Sequence, residues 1–336
     1  MSVRRLLAAA LIINLFPASP GDAAPSEGAR TIAPANSTER STTYRTVTVN
    51  GLSIFYREAG PANAPVILLL HGFPSSSRMF DTLMPQLADR YHLVAPDYPG
   101  FGNSDAPAPD KVTYTFDAIA GIVGAFTEAV HLDRYALYVQ DYGGPVGYRL
   151  AVAHPERVTA LIVQNAVAHE EGLGRLQAAR TGGFWADRAA NEAKYRANLA
   201  SVETARQRHV GSSPHPERYN PDLWRDEVAF LARPGEADIQ SDLFYDYRNN
   251  LAAYPVWQNW LRTQQPPTLI VWGRYDPTFD IAEVAALRHD VPKAEVHVLD
   301  AGHFALDEAA GEVATLMHDF LGRLPSAAIK PAGSPM

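Results

Sequence analysis

From residue 46 onward the chain alternates short, uninterrupted apolar runs with longer stretches in which apolar positions recur every three or four residues. Val66–Leu70 carries no polar position at all. A strand buried on both faces has that pattern, whereas a half-exposed strand alternates. His92–Ala95, Tyr135–Val139, Val158–Val163, Thr268–Trp272 and Glu295–Leu299 predict further strands. Thr46–Asn50 and Ser53–Glu58 flank Gly51 and predict an opening hairpin. Phe116, Ile119, Ala120, Val123, Phe126 and Val130 sit at helical spacing, and that apolar face ends near His131. Val146–His154 and a segment near Gly311–Leu321 predict two more helices. Such alternation argues for an α/β fold: a mainly parallel sheet flanked by helices. From Ala166 to about Leu261 the strand pattern stops, and scattered aromatics, charges and prolines take over. That stretch predicts a helical insertion after the sixth strand.

Composition narrows the classes. Of 336 residues 46% are hydrophobic and 20% charged, which excludes a disordered chain and supports a sizeable core. The net charge is −8 and no Lys/Arg cluster occurs, which argues against nucleic acid as a partner. With no cysteine there is no disulfide, thiolate metal site or Cys nucleophile. The eleven histidines show no His-Glu-x-x-His pattern, so no zinc site is expected.

At the N-terminus, Arg4 and Arg5 precede an apolar run, Leu6–Phe16, too short to span about 30 Å of hydrocarbon. Small residues follow at Gly21–Ala24. The expectation is a signal peptide over residues 1–24 and export to the periplasm or medium by either the general or the twin-arginine route. A flexible linker (25–43), a core (44–165 and 262–324), a cap (166–261) and a disordered tail (325–336) complete the expected layout. No integral membrane span is expected in the mature chain.

The most informative stretch is Val139-Gln140-Asp141-Tyr142-Gly143-Gly144, where a strand turns sharply into a helix. The turn exposes one side chain at the end of the sheet, facing the helix N-terminus, and crowding demands small neighbours two positions away. Gly143 supplies one; Val139 is larger than the glycine usual on the other side. A serine at the exposed position would serve an esterase. An aspartate can instead attack carbon directly and form an ester. His71-Gly72-Phe73-Pro74 follows the buried strand Val66–Leu70. The N–H groups of Phe73 and Tyr142 are expected to form an oxyanion hole, with Pro74 restricting Phe73. Asp276 and His303 each follow a later strand, and the ends of parallel strands are where sites form. Asp276 is placed to orient a histidine. Gly102-Asn103-Ser104-Asp105-Ala106 loosely mimics a serine elbow, but Pro107 and Pro109 follow rather than a helix, so Ser104 reads as a loop residue.

These motifs, with Asp97-Tyr98-Pro99-Gly100-Phe101-Gly102, make the chain from about Thr46 to Leu324 resemble the α/β-hydrolase superfamily. The elbow is similar to that of its epoxide hydrolase and haloalkane dehalogenase branch. The resemblance implies Asp141 as nucleophile, His303 as base, Asp276 as its orienter, and residues 166–261 as a cap. Tyr247-Arg248-Asn249 resembles the epoxide hydrolase segment whose tyrosine hydrogen-bonds the epoxide oxygen, which makes Tyr247 the cap acid. Tyr195 and Tyr219 are candidates for a second tyrosine. Tyr142 and Phe73 stand where dehalogenases carry tryptophan and asparagine, which favours epoxide hydrolysis to a diol over carbon–halogen cleavage. Trp185 keeps the second reaction open as a halide donor. His71, Pro74, Trp185 and Tyr195 are expected to line the substrate pocket. The expected partner is a small, mainly apolar substrate, with no cofactor. A non-catalytic binding protein on the same scaffold is the alternative from another class.

Overall fold

The computed structural model describes residues 41–325. The expected signal peptide, the linker up to residue 40 and the tail from residue 326 lie outside the described residues.

Eight strands form one sheet: β1 (Thr43–Val49), β2 (Leu52–Ala59), β3 (Val66–Leu70), β4 (His92–Pro96), β5 (Tyr135–Gln140), β6 (Val158–Gln164), β7 (Thr268–Gly273) and β8 (Glu295–Leu299). Thr43, expected in the linker, is instead the first residue of β1. Strand order is β1-β2-β4-β3-β5-β6-β7-β8. β2 pairs antiparallel with β1 and β4, and all other pairs are parallel. The β1–β2 hairpin turns through Asn50 and Gly51, both at positive φ (50° and 81°), as a two-residue turn that follows strand twist requires.

The uninterrupted apolar runs are explained by the two layers that cover the sheet. Alternate residues of the central strands go to opposite faces. Leu68, Leu70, Leu137, Val139, Leu161 and Val163 pack with Phe116, Ile119 and Val123 of α2 (Phe116–Ala129) and Val146 and Leu150 of α3 (Gly143–Ala153). Ile67, Leu69, Ala136, Tyr138, Ile162 and Leu269 pack with Met84 of α1 (Met84–Leu87) and Val313, Met317 and Leu321 of α11 (Leu306–Gly322). α11 starts before the expected Gly311 because a short first turn joins the main helix across a kink at Ala309.

The insertion between β6 and β7 is helical, as expected: α4 (Leu176–Arg180), α5 (Arg188–Leu199), α6 (Val202–Val210), α7 (Pro221–Leu231), α8 (Glu236–Asp246) and α9 (Arg248–Gln264). α9 runs past Leu261 and stops at Gln265, which takes a left-handed conformation. α10 (Ala282–Asp290) connects β7 to β8. Among the described residues no helix is long and apolar enough to cross a membrane.

Candidate active site

The chain leaves β3 for β4 on one side and returns to β5 on the other, so the carboxyl ends of β3 and β5 flank a crevice. Asp141 sits there with φ +47°, in the left-handed region that residues with a Cβ seldom occupy. Its backbone is pinned on both sides. Asp141 N–H donates to Asn165 O at 3.2 Å, and Gly144 N–H donates to Asp141 O at 2.9 Å. At Gly143 a Cβ would come within 2.1 Å of the Leu70 carbonyl oxygen, so β3 and α3 meet only because that side chain is absent. Across the same junction, a Cβ on Gly147 would lie 2.4 Å from Val139 Cγ1. The bulk of Val139 is thus accommodated by an empty position one helical turn into α3.

The Asp141 carboxylate is buried and directed. Phe73 N–H donates to its Oδ1 at 2.7 Å. Of the two expected oxyanion donors, only Phe73 is seen in hydrogen-bond contact with this carboxylate. His303 Nε2 lies 3.5 Å from Asp141 Oδ2, and His303 Nδ1 lies 2.8 Å from Asp276 Oδ2. Asp276 is itself saturated: Thr278 and Phe279 N–H donate to Oδ1 at 2.7 and 3.1 Å, and Asn165 Nδ2 donates to Oδ2 at 2.8 Å. Burial alone would depress the His303 pKa, but Asp276 and Asp141 outweigh it and raise the pKa to about 10. The resting imidazole is therefore charged, with a carboxylate at each nitrogen.

Above these groups lies a cavity of ≈ 200 Å³. Phe73, Asp141, Tyr142, Thr278 and His303 line it from the sheet side, and Leu176, Tyr195, Arg208, Phe244 and Tyr247 from the insertion. Tyr247 is buried, and its hydroxyl has the Tyr254 hydroxyl as its polar neighbour. Burial, reinforced by the neighbouring Tyr254 and Asp141, holds its pKa well above that of free tyrosine. The phenol keeps its proton at neutral pH and can donate it.

Four expectations need correction or refinement. Trp185 does not line this cavity: it stacks on Tyr247 at 5.4 Å between centroids, and its indole N–H donates to Phe244 O at 2.6 Å. No donor remains there for a halide. His71 lies beneath the site, stacked on Tyr98 at 3.9 Å, and burial lowers its pKa to about 3. Pro74 faces a different groove, beside Arg78 and Phe230. Tyr195 does line the cavity, although its hydroxyl donates to Gln240 O at 3.3 Å; Tyr219 does not. The loop reading of Ser104 fits its contacts, since its Oγ donates to Asp97 O and accepts from Phe55 N–H.

Three residues went unread in the sequence. Asn165 ties β6 to β7 through Gly273 and to Asp276. Gln140 places its amide nitrogen 3.1 Å from His303 Nε2. Both follow apolar strand runs, the same signal that exposed Asp141. Arg208 reaches the cavity from α6, a helix with no clear apolar stripe, and nothing in the sequence sets it apart.

Residues 65–310 match the family described as alpha/beta hydrolase fold. A protein of Saccharomyces cerevisiae named "Uncharacterized hydrolase YNR064C" is 38% identical over 262 residues, 77% of this chain and 89% of its own length. A haloalkane dehalogenase of Mycobacterium marinum is 38% identical over 115 residues, 34% of this chain and 38% of its own. The solved epoxide hydrolase CorEH superposes with a TM-score of 0.70 at 18% identity, covering 85% of this chain and all of its own (100%), a likeness of fold.

Proposed function

This chain belongs to the alpha/beta hydrolase fold family, and from that premise we propose that it attacks its substrate with Asp141, carries it briefly as an ester, and opens epoxides to diols. Oδ1 is engaged by Phe73 N–H, which leaves Oδ2 as the attacking oxygen. As the new C–O bond forms, the ring C–O bond breaks, and the departing oxygen takes the Tyr247 proton. The imidazolium of His303 restores that proton to the phenolate through solvent in the cavity. His303 is then neutral and serves as base. It takes a proton from water while the water oxygen attacks the ester carbonyl. Negative charge gathers on Oδ1 against the Phe73 N–H. Collapse releases the diol and regenerates the carboxylate.

The observation that carries the choice of electrophile is the protonated phenol of Tyr247 in the cavity wall above Asp141, with Tyr254 as its polar neighbour. An opening epoxide needs such a donor. A departing halide wants convergent N–H groups, and the indole N–H of Trp185 is already engaged. The test measures diol formation and halide release in parallel on matched epoxides and bromoalkanes. Diol formation should dominate and should fall more than about tenfold in Tyr247→Phe, with residual halide release unmoved. Halide release exceeding diol formation, with Tyr247→Phe as active as the parent, would overturn the reading.

A further inference from the structure

We infer that Arg208 is the receptor for a carboxylate on the substrate, so that the enzyme acts on small electrophiles that are also organic acids. The inference rests on reading the Asp141–Tyr247 cavity as the substrate site.

Arg208 projects from α6 into the cavity, with its guanidinium carbon 5.0 Å from the centroid of the Phe73 ring. Its Nη1 is buried with no hydrogen-bond partner, and among the described residues no carboxylate pairs with it. Other arginines of the insertion are engaged: Arg188 with Asp242, Arg196 with Glu192 and Arg262 with Asp290. The cation sits over an aromatic face, but that contact leaves the buried Nη1 donors unfilled. A desolvated, unpaired donor is costly unless a ligand completes it.

The hydroxyls of Tyr142 and Tyr195, on the walls of the cavity, feel the charge of Arg208. Arg208 and Thr278 also line an open cleft on the surface, together with Arg175. The acid of that cleft, Glu203, has Arg206 at 3.7 Å. An incoming anion thus meets Arg175 outside and Arg208 at the threshold of the catalytic cavity. A guanidinium fork matches a planar carboxylate through two parallel hydrogen bonds. The remaining walls are aromatic or aliphatic and suit a short apolar spacer between the acid and the reacting carbon.

The test separates recognition from chemistry. Phenylacetate and its neutral isostere phenylacetamide, neither of which can alkylate Asp141, are titrated into the full-length protein by calorimetry at low salt. The acid should bind at least about tenfold more tightly than the amide. Arg208→Gln should abolish that preference, and Arg208→Lys should keep part of it. Equal affinity for acid and amide in the unmodified protein would overturn the inference, as would a preference that survives in Arg208→Gln. Diol formation from styrene oxide, measured on the unmodified protein, reports separately on the catalytic reading. Its absence alongside Arg208-dependent acid binding would retire the epoxide assignment and leave this one standing.

Discussion

In the proposed mechanism, esterification of Asp141 changes the charge that His303 experiences. At rest two carboxylates hold the imidazole protonated, at a pKa of about 10. Once Oδ2 is bonded to carbon, one of the two is neutral, and the same burial that opposed protonation now favours the free base. The base is thus switched on by the step that creates its substrate. His303→Gln should therefore still form the ester but fail to resolve it. Intact-mass measurement should show one substrate added to the protein, with turnover down by about 10²–10⁴-fold. Lost turnover with no mass change would remove His303 from ester hydrolysis. The sequence displayed the expected triad because Asp141, Asp276 and His303 each follow a strand, buried and apolar for the first two and at the sheet edge for His303. It did not display Arg208, whose role depends on how α6 packs, nor the engaged indole of Trp185, whose partner is a distant backbone carbonyl.

The elbow between β5 and α3 shows why element boundaries constrain chemistry. Val139 departs from the glycine that the turn usually wants, and Gly147 supplies the missing room from the opposite element. The two positions form one packing unit. Gly147→Ala should cost about 1–3 kcal/mol, because its Cβ would press on Val139 inside a core with no slack. Val139→Ala combined with it should recover part of that loss, so urea midpoints for the two single variants and the double should be non-additive. Strict additivity would show that Val139 and Gly147 do not share the space. At this scale the central strands were legible to within a residue or two, because burial on both faces leaves nearly continuous apolar runs, whereas the exposed edge strand β1 begins three residues before the expected Thr46. The helices of the insertion were legible only as a group. α5 buries Leu199 alone, and α6 buries Ala205, His209 and Val210, so neither carries a stripe that periodicity would reveal. These helices begin instead at local caps, Asp187 and Ser201.

Across the molecule, the insertion and the core are joined by a second buried imidazolium. His209 of α6 lies 2.6 Å from Asp307 of α11 and 2.9 Å from Glu227 of α7. It stacks on Phe304, the neighbour of His303, at 4.5 Å. Burial opposes its charge, but Glu227 and Asp307 raise its pKa to about 10. Both His209 and His303 therefore bind protons more tightly folded than unfolded. Their stabilisation is full below the unfolded histidine value near 6.5 and disappears as pH rises through about 10. Glu283 and Glu236, raised by burial to about 7, act in a lower window: their cost grows from about 4.5 to 7 and then levels off. Between pH 7 and about 9 the histidines with raised pKa dominate, His303 and His209 together with His169, which Glu283 and Asp290 raise, before unfolded tyrosines begin to lose protons. Each contributes a slope of up to about 1.4 kcal/mol per pH unit. The urea midpoint should fall steadily from pH 7 to pH 9, and His209→Asn should make that slope shallower while lowering the midpoint at pH 7. Because the slope counts protons rather than contacts, it distinguishes a charged latch between α6 and α11 from ordinary packing there. A midpoint unchanged across that range in the unmodified protein would mean that neither imidazole is charged, and with it the switch assigned to His303 would lose its starting state.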